Sequence, residues 1–139
     1  MKENIGENQK SSGYNMHKYS IESIKVTTDG VRKLFFDVEW KGNNSPDYYE
    51  LRFFDKDKNC LEALAYASQK QRVEVRDYNL NLKSGKLNVE TFYAEIGIAE
   101  YSEDGELKKW EILASSKPLE VAILYKRHIF SKNEIKIIQ

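Results

Sequence analysis

"LFFDVEW", residues 34–40, sets Leu34, Phe36, Val38 and Trp40 against Phe35, Asp37 and Glu39. Successive side chains of an extended backbone point to opposite faces, so a period of two gathers four large apolar groups on one side and two carboxylates on the other. A helix would scatter the same residues around its circumference. The stretch reads as a strand with one buried face, and its neighbours repeat the pattern.

Upstream, "YSIESIKV" at 19–26 alternates in the same way, with a slip between Ile21 and Ile24 that marks a β-bulge. The turn "TTDGVRK" separates the two. Downstream, after the Gly, Asn and Pro of "KGNNSPD", the run "YYELRFF" at 48–54 sets Tyr49, Leu51 and Phe53 against Tyr48, Glu50, Arg52 and Phe54. "CLEALAYAS" at 60–68 fits helical spacing through Leu61, Leu64, Ala65 and Ser68, and strand spacing through Ala63, Ala65 and Ala67; it is read as a short strand. "QRVEVRDY" alternates through Val73 and Val75. "NLNLKSGKLNVE" at 79–90 reads as a crossing loop whose Leu80 and Leu82 plug one end of a core. "TFYAEIGIAEY" and "WEILASS" follow, joined through an Asp104-Gly105 turn, and Pro118 breaks the pairing before "LEVAILY". Seven or so strands with no amphipathic helix between them predict an all-β fold, an antiparallel two-sheet sandwich. No period of 20 to 50 residues repeats, which excludes a solenoid or propeller.

The organisation is that of one domain. Residues 1–18 are rich in Asn, Lys, Ser, Gly and Glu and are expected to form a flexible tail; 19–124 form the sandwich; 125–139 are a basic, apolar extension. Lys plus Arg and Asp plus Glu number 22 each, so no overall field recruits nucleic acid or an anionic membrane. The start lacks the apolar core of an export signal, and no run approaches the roughly 18 apolar residues of a membrane span. One cysteine, Cys60, excludes an internal disulfide and fits a reducing compartment, so a cytoplasmic protein is expected.

Over residues 19–124 the chain resembles a fibronectin type III or immunoglobulin-like domain, with "LFFDVEW" as second strand ending in Trp40, "YYELRFF" as third, "FYAEIGIA" as sixth and "SSKPLEV" at the last. It is also similar to a bacterial family of unknown function that carries an "LR-aromatic-aromatic-D" strand and a later "A-E-aliphatic-G" strand followed by "DG"; here these are "LRFFD" at 51–55, "AEIG" at 94–97 and Asp104-Gly105. The resemblance implies a sandwich with a tendency to bind and with no catalytic residues to carry over. One position departs from it. A fibronectin-like sixth strand begins with a tyrosine in phase with its inward residues, whereas this chain has Phe92, with Tyr93 one step out of phase. Either the corner hydrogen bond is absent or the strand is shifted by one residue, which would turn every side chain over.

The residues of catalysis are sparse. Nucleophilic chemistry at Cys60 needs a base, and the two histidines, His17 and His128, lie in or near the tails. Asp55, Asp57 and Asn59 copy the first ligand positions of a calcium loop, but Cys60 stands where the sharp-turn glycine belongs and Tyr66 where the bidentate Glu belongs, so the segment reads as a polar hairpin turn. No metal, cofactor or enzymatic activity is expected. Asn43 opens a formal glycosylation sequon that is discounted in this context. Trp40 shares phase with Leu34, Phe36 and Val38, and Trp110 with Ile112 and Ala114, so both are assigned to the core. Residues 90–106 hold six carboxylates and no Lys or Arg, a pattern that fits the solvated side of a hairpin whose Glu100 or Glu106 faces Lys108 or Lys109.

The best functional candidate is the outward face of the third, sixth and seventh strands: Tyr48, Glu50, Arg52 and Phe54 from one, Tyr93, Glu95, Gly97 and Tyr101 from another, Leu113 from the last. Aromatics interleaved with an arginine are the material of contact hot spots. Tyr48, Arg52, Phe54, Tyr93, Glu95 and Tyr101 are therefore the expected partner-binding residues of a non-catalytic module that takes a protein or its own copy. The alternative is a carbohydrate-binding module using the same exposed aromatics. The extension "YKRHIFSKNEIKIIQ" is apolar enough to cover this face itself, to pair with a sheet edge, or to exchange with a second copy.

Overall fold

The structure, a computed structural model, describes residues 18–42, 49–127 and 133–138. The expected tail up to His17, together with Asn43, Tyr48 and His128, lies outside these residues. Among the described residues nine strands form two antiparallel sheets: β1 (Ser20–Thr28), β2 (Lys33–Lys41), β3 (Glu50–Asp55), β4 (Cys60–Leu64), β5 (Lys70–Arg76), β6 (Leu87–Tyr101), β7 (Leu107–Ser115), β8 (Leu119–Arg127) and β9 (Asn133–Ile138). One sheet has the order β1-β2-β5. The other runs β4-β3-β6-β8-β9, with β7 also on β6. Among the described residues no helix is long and apolar enough to cross a membrane.

The period-two reading of residues 34–40 holds: Leu34, Phe36, Val38 and Trp40 are all buried. β1 pairs with β2 in a register that slips between Ile21 and Ser23, so Glu22 is the bulged residue. Phe36 reaches from the three-stranded sheet to Phe53 and Phe92 of the other, with ring centroids 4.5 and 4.8 Å away, and Phe53 stacks on Phe92 at 5.6 Å. These three rings join the layers at their centre. Trp40 is packed inside and donates its indole N–H to the Ser68 carbonyl at 2.7 Å.

The register of β6 is the one that buries Phe92, Ala94 and Ile96 and turns Tyr93 and Glu95 outward. Phe92 thus faces inward, and the strand is not shifted. β6 also starts at Leu87, four residues before the expected Thr91. Its first half inverts the usual polarity: Leu87 and Val89 are exposed, while Asn88 turns back to donate to the Lys83 and Lys86 carbonyls at 3.2 and 3.0 Å. Polar groups in the inward phase are why this half reads as loop in the sequence.

β7 and β8 lie along one edge of β6 in succession, β7 against residues 95–101 and β8 against 87–92. The break falls at Pro118. Across it the backbone N–H of Ser116 donates to Ala94 O and the Ser116 hydroxyl accepts from Ala94 N, both at 2.8 Å, so the ladder of β6 stays filled where the strands part. β9 pairs with the other edge of β8, from Ala122↔Ile138 to Arg127↔Asn133, and buries Ile135. Of the three courses open to the C-terminal extension, its described part takes the sheet edge.

Candidate functional site

β3 and β6 run antiparallel, with Glu50 opposite Gly97, Arg52 opposite Glu95 and Phe54 opposite Tyr93. Because β3 buries Leu51 and Phe53, alternation sends Glu50, Arg52 and Phe54 to the outer face. There Phe54 and Tyr93 stack nearly parallel, centroids 5.0 Å apart and planes 15° from parallel. Burial beside Phe54, with the Glu95 charge next to it, pushes the Tyr93 phenol above its ordinary pKa.

One step along, Glu50 is only 4% exposed although it stands on the outer face. Two neighbours roof it. Arg52 donates from Nε to Glu50 Oε2 at 2.6 Å, and the Tyr101 hydroxyl donates to Oε1 at 2.6 Å. Arg52 Nη2 also donates to the Tyr101 oxygen at 3.2 Å, which closes a three-membered ring of charge-assisted bonds. Burial works against the Arg52 cation, but the bonds to Glu50 and Tyr101 outweigh it and raise its pKa. The bond to Glu50 is the main cause that raises the Tyr101 phenol, burial adding to it and Arg52 pulling back.

The fourth side of the guanidinium is a ring. Arg52 Cζ lies 4.8 Å from the centroid of Trp110, and the Trp110 indole donates to Glu95 Oε1 at 2.8 Å. Trp110 is therefore on the outer face, half-buried, and the core assignment is corrected. The cause is a bulge in β7: Ala114 pairs with Ile96 but Ile112 pairs with Gly97, so Leu113 is the extra residue. Everything before it changes phase. Leu113, expected outside, is 1% exposed, while Ile112, expected inside with Trp110, is 41% exposed. Gly97 provides the seat for the indole. A Cβ there would clash with Glu111 O and meet Trp110 Cη2 at 2.9 Å.

Five of the six expected partner-binding residues, Arg52, Phe54, Tyr93, Glu95 and Tyr101, thus share one face; Tyr48 lies outside the described residues. Trp110 was missed. Its signal was a glycine in mid-strand at an outward position, which marks a place where a ring lies down on the backbone. Also missed was the continuation of the face along β6 from Tyr93 through Thr91 to Val89 and Leu87, each of the last two 57% exposed. Across the ladder Val89 faces Ala122, which faces Ile138, and Leu87 faces Leu124. β9 is a strand of this sheet and does not lie over it.

Other candidate chemistry resolves into turns. Asp55 accepts the backbone N–H groups of Asp57 and Asn59 at 2.8 and 2.9 Å and the Asn59 side chain at 2.9 Å, so the calcium-like spacing forms a self-bonded hairpin turn. Among the described residues no group of three or more His, Cys, Asp or Glu is placed to hold a metal ion. Burial, with Glu50 adding to it against Arg52, pushes the Cys60 thiol up, the opposite of what a nucleophilic cysteine requires. In the acidic hairpin Lys108 lies 3.9 Å from Glu100, both exposed, a pairing of little weight.

No family model and no curated protein matches the chain. Among solved structures it is similar to a β-glucuronidase of Ruminococcus gnavus, at 12% identity and TM-score 0.44 over 87% of this chain. It is similar also to a β-glucuronidase of Bifidobacterium dentium, at 14% and 0.44 over 85%. The chain spans 17% and 20% of those enzymes' lengths.

Proposed function

We propose that the chain is a non-catalytic interaction module that docks a protein partner, or a second copy of itself, on the outer face of the six-stranded sheet. The observation that carries this reading is continuity: the exposed apolar strip Leu87–Val89–Ile138 runs along β6 into the Phe54–Tyr93 stack and then into Arg52, Trp110 and Tyr101. Exposed apolar surface bordered by polar groups is what soluble domains keep for contacts. Arg52, held by Glu50, Tyr101 and the indole, meets a partner with little rotamer entropy left to lose. The strand order, β1-β2-β5 in one sheet and β4-β3-β6 in the other with β7 and β8 both paired to β6, supports a fibronectin III-like assignment of the sandwich.

The test is a double variant, Leu87→Lys with Val89→Lys, compared with wild type in sedimentation across concentrations and in affinity capture. Both positions are exposed, so stability is expected to stay within about 0.5 kcal/mol of wild type. Loss of the self-associated species or of the captured partner is the expected result. Equal association by both proteins overturns the reading. The near-parallel rings of Phe54 and Tyr93 also favour a second reading, a platform for a sugar ring. Glycan binding that quenches Trp110 and disappears in Tyr93→Ala, with protein association unaffected by the double lysine variant, would select it.

A further inference from the structure

At one end of the sandwich, the β1–β2 turn, the 3-10 turn Asp77–Asn79 that follows β5, and the facing ends of β8 and β9 line an open cleft of about 360 Å3. None of the residues of the outer face lines it. Two backbone bonds fix its floor: Asp77 N donates to Arg32 O at 2.9 Å and Leu80 N to Asp77 O at 3.0 Å. The Asp77 side chain lines the cleft and is 8% exposed. Its Oδ1 is enclosed yet accepts no hydrogen bond; the facing Arg32 Nε stands 3.5 Å away, an ion pair outside hydrogen-bond geometry, on a side chain that is half exposed. Buried carboxylate oxygens in folded proteins are ordinarily bonded, and an exception calls for a missing partner.

The other walls carry polar side chains as well. Among the described residues the side chains of Arg127, Tyr78, Asn81 and Asn133 make no hydrogen bond or ion pair, and all four line this cleft. Tyr78 is 68% exposed. Asn81 is held at a φ of +56°, in the left-handed region that an Asn tolerates at a turn. Donors and acceptors of both kinds line one cleft, so the complementary ligand is one that both donates and accepts at several points. Two guanidinium groups against one carboxylate leave an excess of one positive charge, which favours an anionic group on that ligand.

We propose that this cleft binds a saccharide unit carrying an acidic group. The acid lies between Arg127 and Arg32, which exchanges its imperfect pairing with Asp77 for a bidentate bond to the ligand. Ligand hydroxyls then donate to the freed Asp77 oxygen and bond with the side-chain amides of Asn81 and Asn133, which carry donor and acceptor on one planar group. Tyr78 offers its exposed ring to the apolar face of the sugar. The cleft is within the size range of small-ligand sites.

Titration of the 15N-labelled full chain with trigalacturonic acid, and separately with maltotriose and inorganic phosphate, tests this by amide shifts in the NMR spectrum. Trigalacturonic acid is expected to move the amides of 77–82, Arg127 and Asn133 in a saturable way, and Arg127→Ala to weaken binding roughly tenfold, the worth of one charge-assisted bond. Tyr78→Ala is expected to weaken it as well; both side chains are exposed, so unchanged far-UV circular dichroism and Tm establish that the variants are folded. No shift with trigalacturonic acid, or equal binding by Arg127→Ala, overturns the proposal. Equal binding of maltotriose overturns the assignment of the arginines to an acid, and equal binding of phosphate overturns the sugar.

Discussion

Gly97 is the smallest residue of the outer face and the one on which its largest ring rests. Gly97→Ala places a methyl against Glu111 O, a backbone atom that cannot swing aside, and under the Trp110 indole. The expected cost is about 2 kcal/mol, typical of overpacking, with a change in Trp110 fluorescence as the ring lifts off Arg52. Chemical denaturation reads the first and emission the second; an unchanged midpoint would show that the seat is not needed. Trp110 itself was hidden in the sequence because the run Ile112-Leu113-Ala114 gives no clue to which residue is the bulge, and counting by twos from the wrong one inverts all that precedes it. Phe92 and Tyr93 were legible by contrast, since no irregularity intervenes between them and the buried Ala94 and Ile96. Tyr101 supplies a pH test. Its folded pKa is raised above the ordinary 10.0 through the bond to Glu50, so the protonated phenol contributes stability that is fully present below that ordinary value. That contribution is lost as pH rises through the folded value. The stability difference between wild type and Tyr101→Phe is therefore expected to be flat below the ordinary phenol value and to narrow over the range above it. A constant difference across that range would remove Tyr101 from the network.

At the scale of elements, β9 shows what alternation can and cannot disclose. Ile135 and Ile137 have strand spacing, and the extension's apolar content announced that it covers something, but the choice among face, edge and second copy depends on where β8 has a free ladder. Ile135 is 1% exposed and its N–H donates to Gly30 O at 3.1 Å, tying the strand to the β1–β2 turn of the other sheet. Ile135→Ala is expected to cost about 2–5 kcal/mol, the range for a buried aliphatic truncation. Removing residues 128–139 strips the edge of β8, and the expected outcome is a lower Tm together with concentration-dependent association in sedimentation. A truncated chain as stable as the full one and no more associated would mean that β9 is not part of the sandwich. The β1–β2 turn beside it is stabilised by Asp29, which accepts the N–H groups of Val31, Arg32 and Lys33 at 2.8, 3.0 and 3.1 Å. Slight burial raises its pKa, but these three amides and the Lys33 charge outweigh that and lower it below the ordinary 3.8. The stability it contributes is present above that value and lost as pH falls through the folded one. Asp29→Asn is expected to erase that acid-limb dependence.

On the scale of the whole molecule, the two sheets share one core through Phe36, Phe53 and Phe92, so neither layer can lose its packing alone. The chain's two tryptophans allow this to be read sheet by sheet. Trp40 is inside, on β2 of the three-stranded sheet, and Trp110 is outside, on β7 of the other. Variants Trp110→Phe and Trp40→Phe each leave one reporter, and their denaturant transitions need comparison within each variant, against circular dichroism, because each substitution itself removes a hydrogen bond, to Glu95 or to Ser68. Fluorescence and circular dichroism are expected to coincide in both, the behaviour of a single cooperative unit. Phe36→Ala, made in either background, is expected to move both probes together by about 3–5 kcal/mol, although Phe36 is on the sheet opposite to Trp110. If the Trp110 signal kept its midpoint while that of Trp40 fell, the six-stranded sheet would be holding itself together without the other layer. The ring of Glu50, Arg52, Tyr101 and Trp110 would then be a stability element as much as a contact surface.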